Sequence, residues 1–263
     1  MQEYINLEQS LHLICQILAK LNRSLIMEEE DDSHTNLQLD LLKRRILGQP
    51  FEQLGRPMQF GLDLINLELG LYHGARSSLF TIPVEGKSVN HLENELAKRL
   101  KEYSVASAEW QSPMHYQIPN YPNQKKALTF ESELMDKWIN VRSLASEVSL
   151  YLTSSLNTNN SMRIWPHHFD SGLYIELPHQ QGLGFGLGVA DELFPQPYFY
   201  ATHSDFQGNK NFNLTPSAPW HFHKSSSWEG MVYPIDKQFF TSYHLQKSRL
   251  LQFIKETIIW YGL

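Results

Sequence analysis

The sequence predicts an α+β fold of two related lobes packed together, each a helix, an antiparallel meander and a second helix. Three observations carry this prediction. Apolar residues recur at helical spacing in four stretches. Between those stretches they alternate with small or polar residues at strand spacing. The two patterns then follow in the same order in each half. The junctions also rhyme: Thr81-Ile82-Pro83-Val84 precedes the helix that closes the first half, and Val232-Tyr233-Pro234-Ile235 precedes the one that closes the second. Such rhymes are expected of an internal duplication.

The first helix is read over about Asn6 to Leu25, with Leu7, Leu11, Ile14, Cys15, Leu18, Leu21 and Leu25 on one stripe. A cysteine inside that stripe is a packing residue, because a nucleophilic thiolate needs an exposed, electropositive setting. The acidic run Glu28 to Asp32 is a solvated loop. Leu37, Leu39 and Leu41 then alternate, as a strand or a short helix. From Met58 to Tyr72 two alternating runs meet at Ile65-Asn66, a hairpin. His73-Gly74-Ala75-Arg76 turns the chain onto Leu79 to Val84, and Ser88 caps a helix carrying Val89, Leu92, Leu96, Leu100 and Tyr103. Gln111 to Lys126, with Pro113, Pro119 and Pro122, resists both helix and central strand. The predicted organisation is therefore a first lobe over 1–110, a crossover over 111–128 and a second lobe over 129–263. In that second lobe Thr129 opens a long helix through Leu152. Strands follow near Arg163–Leu177, Leu183–Val189, Tyr198–His203 and Gly230–Tyr233, and a last helix spans about Thr241 to Tyr261.

Composition narrows the function classes. A chain of 263 residues buries enough surface to fold without a staple, and its single cysteine excludes a disulfide framework and zinc ribbons. A net charge of −6 argues against a nucleic-acid partner. No apolar run approaches the roughly 20 residues of a membrane helix. Met1 to Ser10 has no basic residue, so it is not read as a signal peptide, and the expected location is cytoplasmic.

Three segments carry candidate chemistry. Trp165-Pro166-His167-His168-Phe169-Asp170, read as extended, puts His168 and Asp170 on one face. They form half of a metal site, a pair for acid–base work, or structural residues that bond the backbone. His203 with Asp205 and His221 with His223 repeat the spacing. The run Gly182 to Val189 has glycine at every second position, leaving one face of a strand bare. Either packed aromatics or a ligand must come close there. Aromatics at Phe194, Tyr198, Phe199 and Tyr200, and then Trp220 to Trp228 in a loop, offer the flat apolar surface with a polar edge of a small-molecule site. Neither a nucleophile elbow nor a phosphate loop is present.

The W-P-x-H-F-D core at 165–170, with Pro197-Tyr198-Phe199-Tyr200 and Trp228-Glu229-Gly230, resembles a bacterial family of uncharacterised proteins, domain of unknown function 5996. The resemblance extends to Ser10-Leu11-His12-Leu13 with Lys20, to Leu62-Asp63, and to Thr81–Val84 with Ser88-Val89. It implies one coherent fold over nearly the whole chain, with Asp170 the fixed element of its core motif, and it implies no activity. Where the family has N-H-W-W-H after the first helix, this chain has Asp31 to Asn36.

Three functional readings follow. The first is a small polar ligand held at the second-lobe sheet by His168, Asp170, Tyr198, Tyr200, His221 and Trp228. The second is a metal-dependent hydrolase in which His168, Asp170, His203 and His221 hold a divalent metal that activates water. The third is a non-catalytic structural or interaction protein. Oligomeric state is not legible.

Overall fold

The protein is described by a computed structural model that covers residues 1–53, 55–74, 77–105, 109–205, 219–226 and 228–263, without the Asp205 side chain. The fold is α+β. Its elements are α1 (Gln2–Leu25), β1 (Gln38–Asp40), β2 (Arg45–Leu47), β3 (Phe51–Gln53), β4 (Arg56–Asp63), β5 (Glu68–His73), β6 (Ser77–Pro83) and α2 (Val89–Glu102). Then come α3 (Ser132–Ser155), β7 (Arg163–Trp165), β8 (Asp170–Leu177), β9 (Gln181–Gly188), β10 (Tyr198–Asp205), β11 (His221–Lys224), β12 (Glu229–Pro234) and α4 (Tyr243–Tyr261). Two compact units result, and they do not follow chain order. The first holds Gln2–Ile139 and Arg163–Phe169; the second holds Asn140–Met162 and Asp170–Leu263.

In the first unit the strands pair antiparallel in the order β1-β2-β4-β5-β6, with β3 also on β4. The predicted stripe of α1 is buried from Leu7 to Leu21, Cys15 included, and Leu25 at its end is half-buried. The expected turn between β4 and β5 forms because Asp63 Oδ1 accepts the backbone N–H groups of Ile65 and Asn66 at 3.0 and 2.9 Å, a local bond that replaces ladder pairing. Its Oδ2 accepts from Arg45 Nε at 2.9 Å. Ser88 caps α2 by accepting from the N–H of His91 at 3.3 Å. Ala75 and Arg76 of the next predicted turn lie outside the described residues.

In the second unit α3 and α4 supply the apolar side chains that bury one face of a sheet. Val141, Ala145, Val148 and Leu152 from α3, and Leu250, Phe253 and Ile254 from α4, pack with Phe185, Leu187, Phe199 and Tyr233. The strands β8, β9 and β10 form a meander, but β12 rather than β11 lies next to β10, and β11 pairs outside β12. Helix, strands and helix thus recur in each half, whereas the strand order does not repeat. His221 to Lys224, read from sequence as loop, is strand β11. No helix among the described residues is long and apolar enough to cross a membrane.

Candidate functional site

Strand β9 explains its own glycines. Gly182, Gly184, Gly186 and Gly188 share one face, and their partners across β10 are Ser204, Thr202, Tyr200 and Tyr198. A Cβ on Gly186 would run into the Tyr200 ring and meet the Ser171 carbonyl oxygen at 2.7 Å, and one on Gly188 would meet Tyr198 Cζ at 2.8 Å. The bare face is therefore covered by side chains of the neighbouring strands: Tyr200 and Tyr198 over Gly186 and Gly188, Thr202 over Gly184, and Tyr174 with Ser204 over Gly182. Of the two sequence readings, packed aromatics and ligand approach, the first is what occupies this space.

Several predicted site residues meet on that face. The Tyr200 hydroxyl donates to Asp170 Oδ2 at 2.6 Å, and the Tyr198 hydroxyl donates to Asp191 Oδ2 at 2.8 Å. The two phenol rings stand 6.2 Å apart, and Trp228 lies 6.4 Å edge-on to Tyr200. Phe194 and His223, flagged in the sequence among the aromatics and the histidine pairs but not assigned as ligand contacts, complete the cluster: Phe194 is 4.4 Å from the Tyr198 ring and 4.9 Å from His223. Asp191 is held in place by accepting from the N–H groups of Leu193 and Phe194. Burial raises the phenol of Tyr200 well above its ordinary value, and the adjacent Asp170 carboxylate raises it further. Tyr198 is raised for the same reasons, with Asp191 beside it. These hydroxyls are neutral donors held by carboxylates, so they serve neither as bases nor as nucleophiles.

The remaining predicted residues do not converge with that cluster as expected. Pro166 to Phe169 is not extended. It is a turn closed by the N–H of Phe169 on the Trp165 carbonyl at 2.7 Å, with Phe169 at φ 58°, and β8 starts only at Asp170. The alternation argument that put His168 and Asp170 on one strand face therefore fails, and His168 is an exposed residue of that turn. His203 pairs with Leu183 and lies on the helix-covered face, its ring 5.0 Å from that of Tyr261. His221 is an exposed residue of β11, on the same face as His223, and desolvation followed by the neighbouring His223 lowers its pKa. Asp170, His203 and His221 thus cannot share one metal, because His203 is on the opposite side of the sheet. Among the described residues no group of three or more His, Cys, Asp or Glu side chains gathers as a metal would require. The Asp205 side chain, paired with His203 in the sequence reading, lies outside the described residues.

The turn at Pro166–Phe169 has partners of its own within the first unit. Buried Phe169 stacks on His12 at 5.0 Å and on Trp138 at 6.0 Å. The Pro166 carbonyl accepts from Gln16 Nε2 and from His12 Nε2, both at 2.7 Å. A carbonyl only accepts, so His12 carries its proton on Nε2, and Nδ1 accepts from the Tyr121 hydroxyl at 2.7 Å. Burial pushes that phenol up to about 12. The opening helix and the Pro166–Phe169 turn therefore touch. Both ring nitrogens of His12 are occupied, which makes it a brace for a left-handed residue.

A cleft of about 410 Å³ opens on the other side of the second unit's sheet, between the end of β12 and α4. Its walls are aromatic: Trp220 stands edge-on to Tyr233 at 5.6 Å, and Phe239 lies 6.0 Å from Tyr233. Polar groups from α4 face the same space. Gln246 is buried, accepting from the Tyr233 hydroxyl and donating to the Gln238 carbonyl, each at 3.3 Å. Arg249 is exposed beside them. Burial raises the Tyr233 phenol, and the Arg249 guanidinium offsets part of that rise. Asp236 contributes a carboxylate whose Oδ1 already accepts the N–H groups of Gln238 and Phe239. Trp220 was among the aromatics flagged in the sequence; Gln246 and Arg249 were not, since nothing local distinguishes them from other polar residues on a helix. Compared with protein-family models, with curated proteins and with solved structures, the chain matches none.

Proposed function

We propose that the second unit binds a small polar molecule in the cleft between β12 and α4. The observation that carries this reading is the cleft's composition. Ligand sites combine apolar, aromatic walls with a few fixed polar groups, and here Trp220, Tyr233 and Phe239 line the cleft together with Gln246 and Arg249. In the glycine-faced cluster the Tyr198 and Tyr200 hydroxyls are held by Asp191 and Asp170, although the buried His223 Nε2 has no hydrogen-bond partner among the described residues. In the cleft Arg249 makes no ion pair among the described residues and bonds the neutral Tyr233 phenol. The reading keeps the ligand at the second unit's sheet, and moves the contacts from Asp170, Tyr198 and Tyr200 to the opposite face.

Nitrogen-15 NMR of the full chain tests it. A panel of amino acids, sugar acids and aromatic acids at millimolar concentration is added in turn. The expected result is a saturable shift of the Trp220 indole N–H and the Gln246 side-chain amide with at least one compound. Shifts that map only elsewhere, or none with any compound, count against the cleft.

A further inference from the structure

We propose that the molecule this cleft takes is a small carboxylate with a flat apolar body, and that Arg249 selects it. The proposal rests on the cleft reading above and names the class of ligand for that site. Among the described lining residues Arg249 is the single cation. It forms no ion pair among the described residues; its side chain bonds the Tyr233 phenol, and the Asp236 carboxylate that shares the cleft is not paired with it. A guanidinium presents planar, paired donors that match the two oxygens of a carboxylate, and it keeps its charge at any working pH.

The other polar groups of the cleft are largely engaged. Gln246 uses its oxygen and its nitrogen within the unit. Asp236 Oδ1 holds two backbone N–H groups, which ties that carboxylate to the turn it caps. The Trp220 indole N–H donates to Glu256 Oε2 at 2.9 Å. An incoming anion therefore meets one cation that has no counter-charge among the described residues, and whose N–H donors exceed what the Tyr233 phenol beside it can accept. The rest of the wall is flat: Trp220 and Tyr233 stand at 68° to each other, with Pro219 and Pro234 beside them. Surfaces of this kind accept a ring better than a flexible chain, because a rigid body has less conformational freedom to lose.

The test compares indole-3-acetate with its neutral isostere indole-3-acetamide, and with hexanoate, on the full chain and on Arg249→Gln. Affinity is read by calorimetry and location by the NMR shift of the Trp220 indole. Indole-3-acetate should bind at Trp220 and lose at least about tenfold in affinity in Arg249→Gln, as loss of a charge-assisted bond implies. The acetamide should bind more weakly and be indifferent to the substitution, and hexanoate should bind more weakly than the aromatic acid. Arg249 is exposed, so the variant is expected to fold, and its melting curve checks this. If acid and amide bind equally at Trp220, or Arg249→Gln leaves the acid unchanged, the carboxylate assignment is overturned while the cleft stands. If no probe moves Trp220 although the variant is folded, both fall.

Discussion

The two faces of the second unit's sheet are built from the same strands and end in opposite conditions. On the glycine face, Tyr198 and Tyr200 lie across Gly188 and Gly186, and each hydroxyl is held by an aspartate. On the other face, Phe185, Phe199 and Tyr233 pack under α3 and α4, and near the end of β12 that packing gives way to a cleft with a guanidinium beside it. A rich set of polar and aromatic residues is thus no guide to function until its hydrogen bonds are traced. In the more conspicuous cluster both tyrosine hydroxyls are held by aspartates, and the less conspicuous set of residues faces open space.

Substitutions on the two faces can break or sharpen this contrast. Phe199 is fully buried on the helix-covered face, so Phe199→Ala should cost about 4 kcal/mol in denaturant unfolding, by lost transfer energy plus a cavity. Gly186→Val should cost about 3 kcal/mol, since its Cβ meets the Ser171 carbonyl oxygen, which a side-chain rotation cannot clear. A loss under about 0.5 kcal/mol would show that the glycine face is looser than described. Tyr200→Phe should cost about 2 kcal/mol by removing the donor to Asp170.

That substitution also carries a pH signature. The Tyr200 phenol titrates higher in the folded chain than its ordinary value of 10.0. The folded state therefore holds this proton more tightly than the unfolded one. The stability it contributes is complete below the unfolded value and is lost as pH rises through it toward the folded value. Unfolding measured from pH 8 to 11 should show a shallower alkaline decline in Tyr200→Phe than in the parent; equal slopes would contradict the assignment. Gly182→Ala should cost under about 1 kcal/mol, because its Cβ meets only the Ser204 and Tyr174 side chains, and Tyr174 is 48% exposed and able to swing away. The smallest effect should be that of Arg249→Gln, within about 0.5 kcal/mol in stability, while ligand affinity responds. A large loss of stability there would make Arg249 a structural residue.

Much of the fold was legible because its signals are local. The stripe of α1, the alternation through β4 and β5, the Ser88 cap and the bare face of β9 each depend on residues a few positions apart, and each matches the observed element. The reading failed at Pro166–Phe169, where an unbroken run of aromatics and histidines looked extended. The chain instead turns, with Phe169 in the left-handed region, because His12 and Gln16 of a distant helix hold the Pro166 carbonyl and His12 and Trp138 stack on the ring. It failed again at His221–Lys224, whose pairing with β12 draws a polar, serine-flanked segment into the sheet.

The candidate site was only partly legible for the same reason. Asp170, Tyr198, Tyr200 and Trp228 were singled out by residue type and do come together, but whether their hydroxyls were committed or available depended on Asp170 and Asp191 arriving from other segments. The sequence by itself determined the class of fold, the helices and most strands, since periods of 3.6 and 2 are properties of neighbouring residues. Tertiary structure alone decided that β12 inserts beside β10, and so which aromatics line a cleft with Arg249. Such a gathering joins side chains from separate stretches of chain, and hydrogen-bond partners that far apart leave no periodic trace.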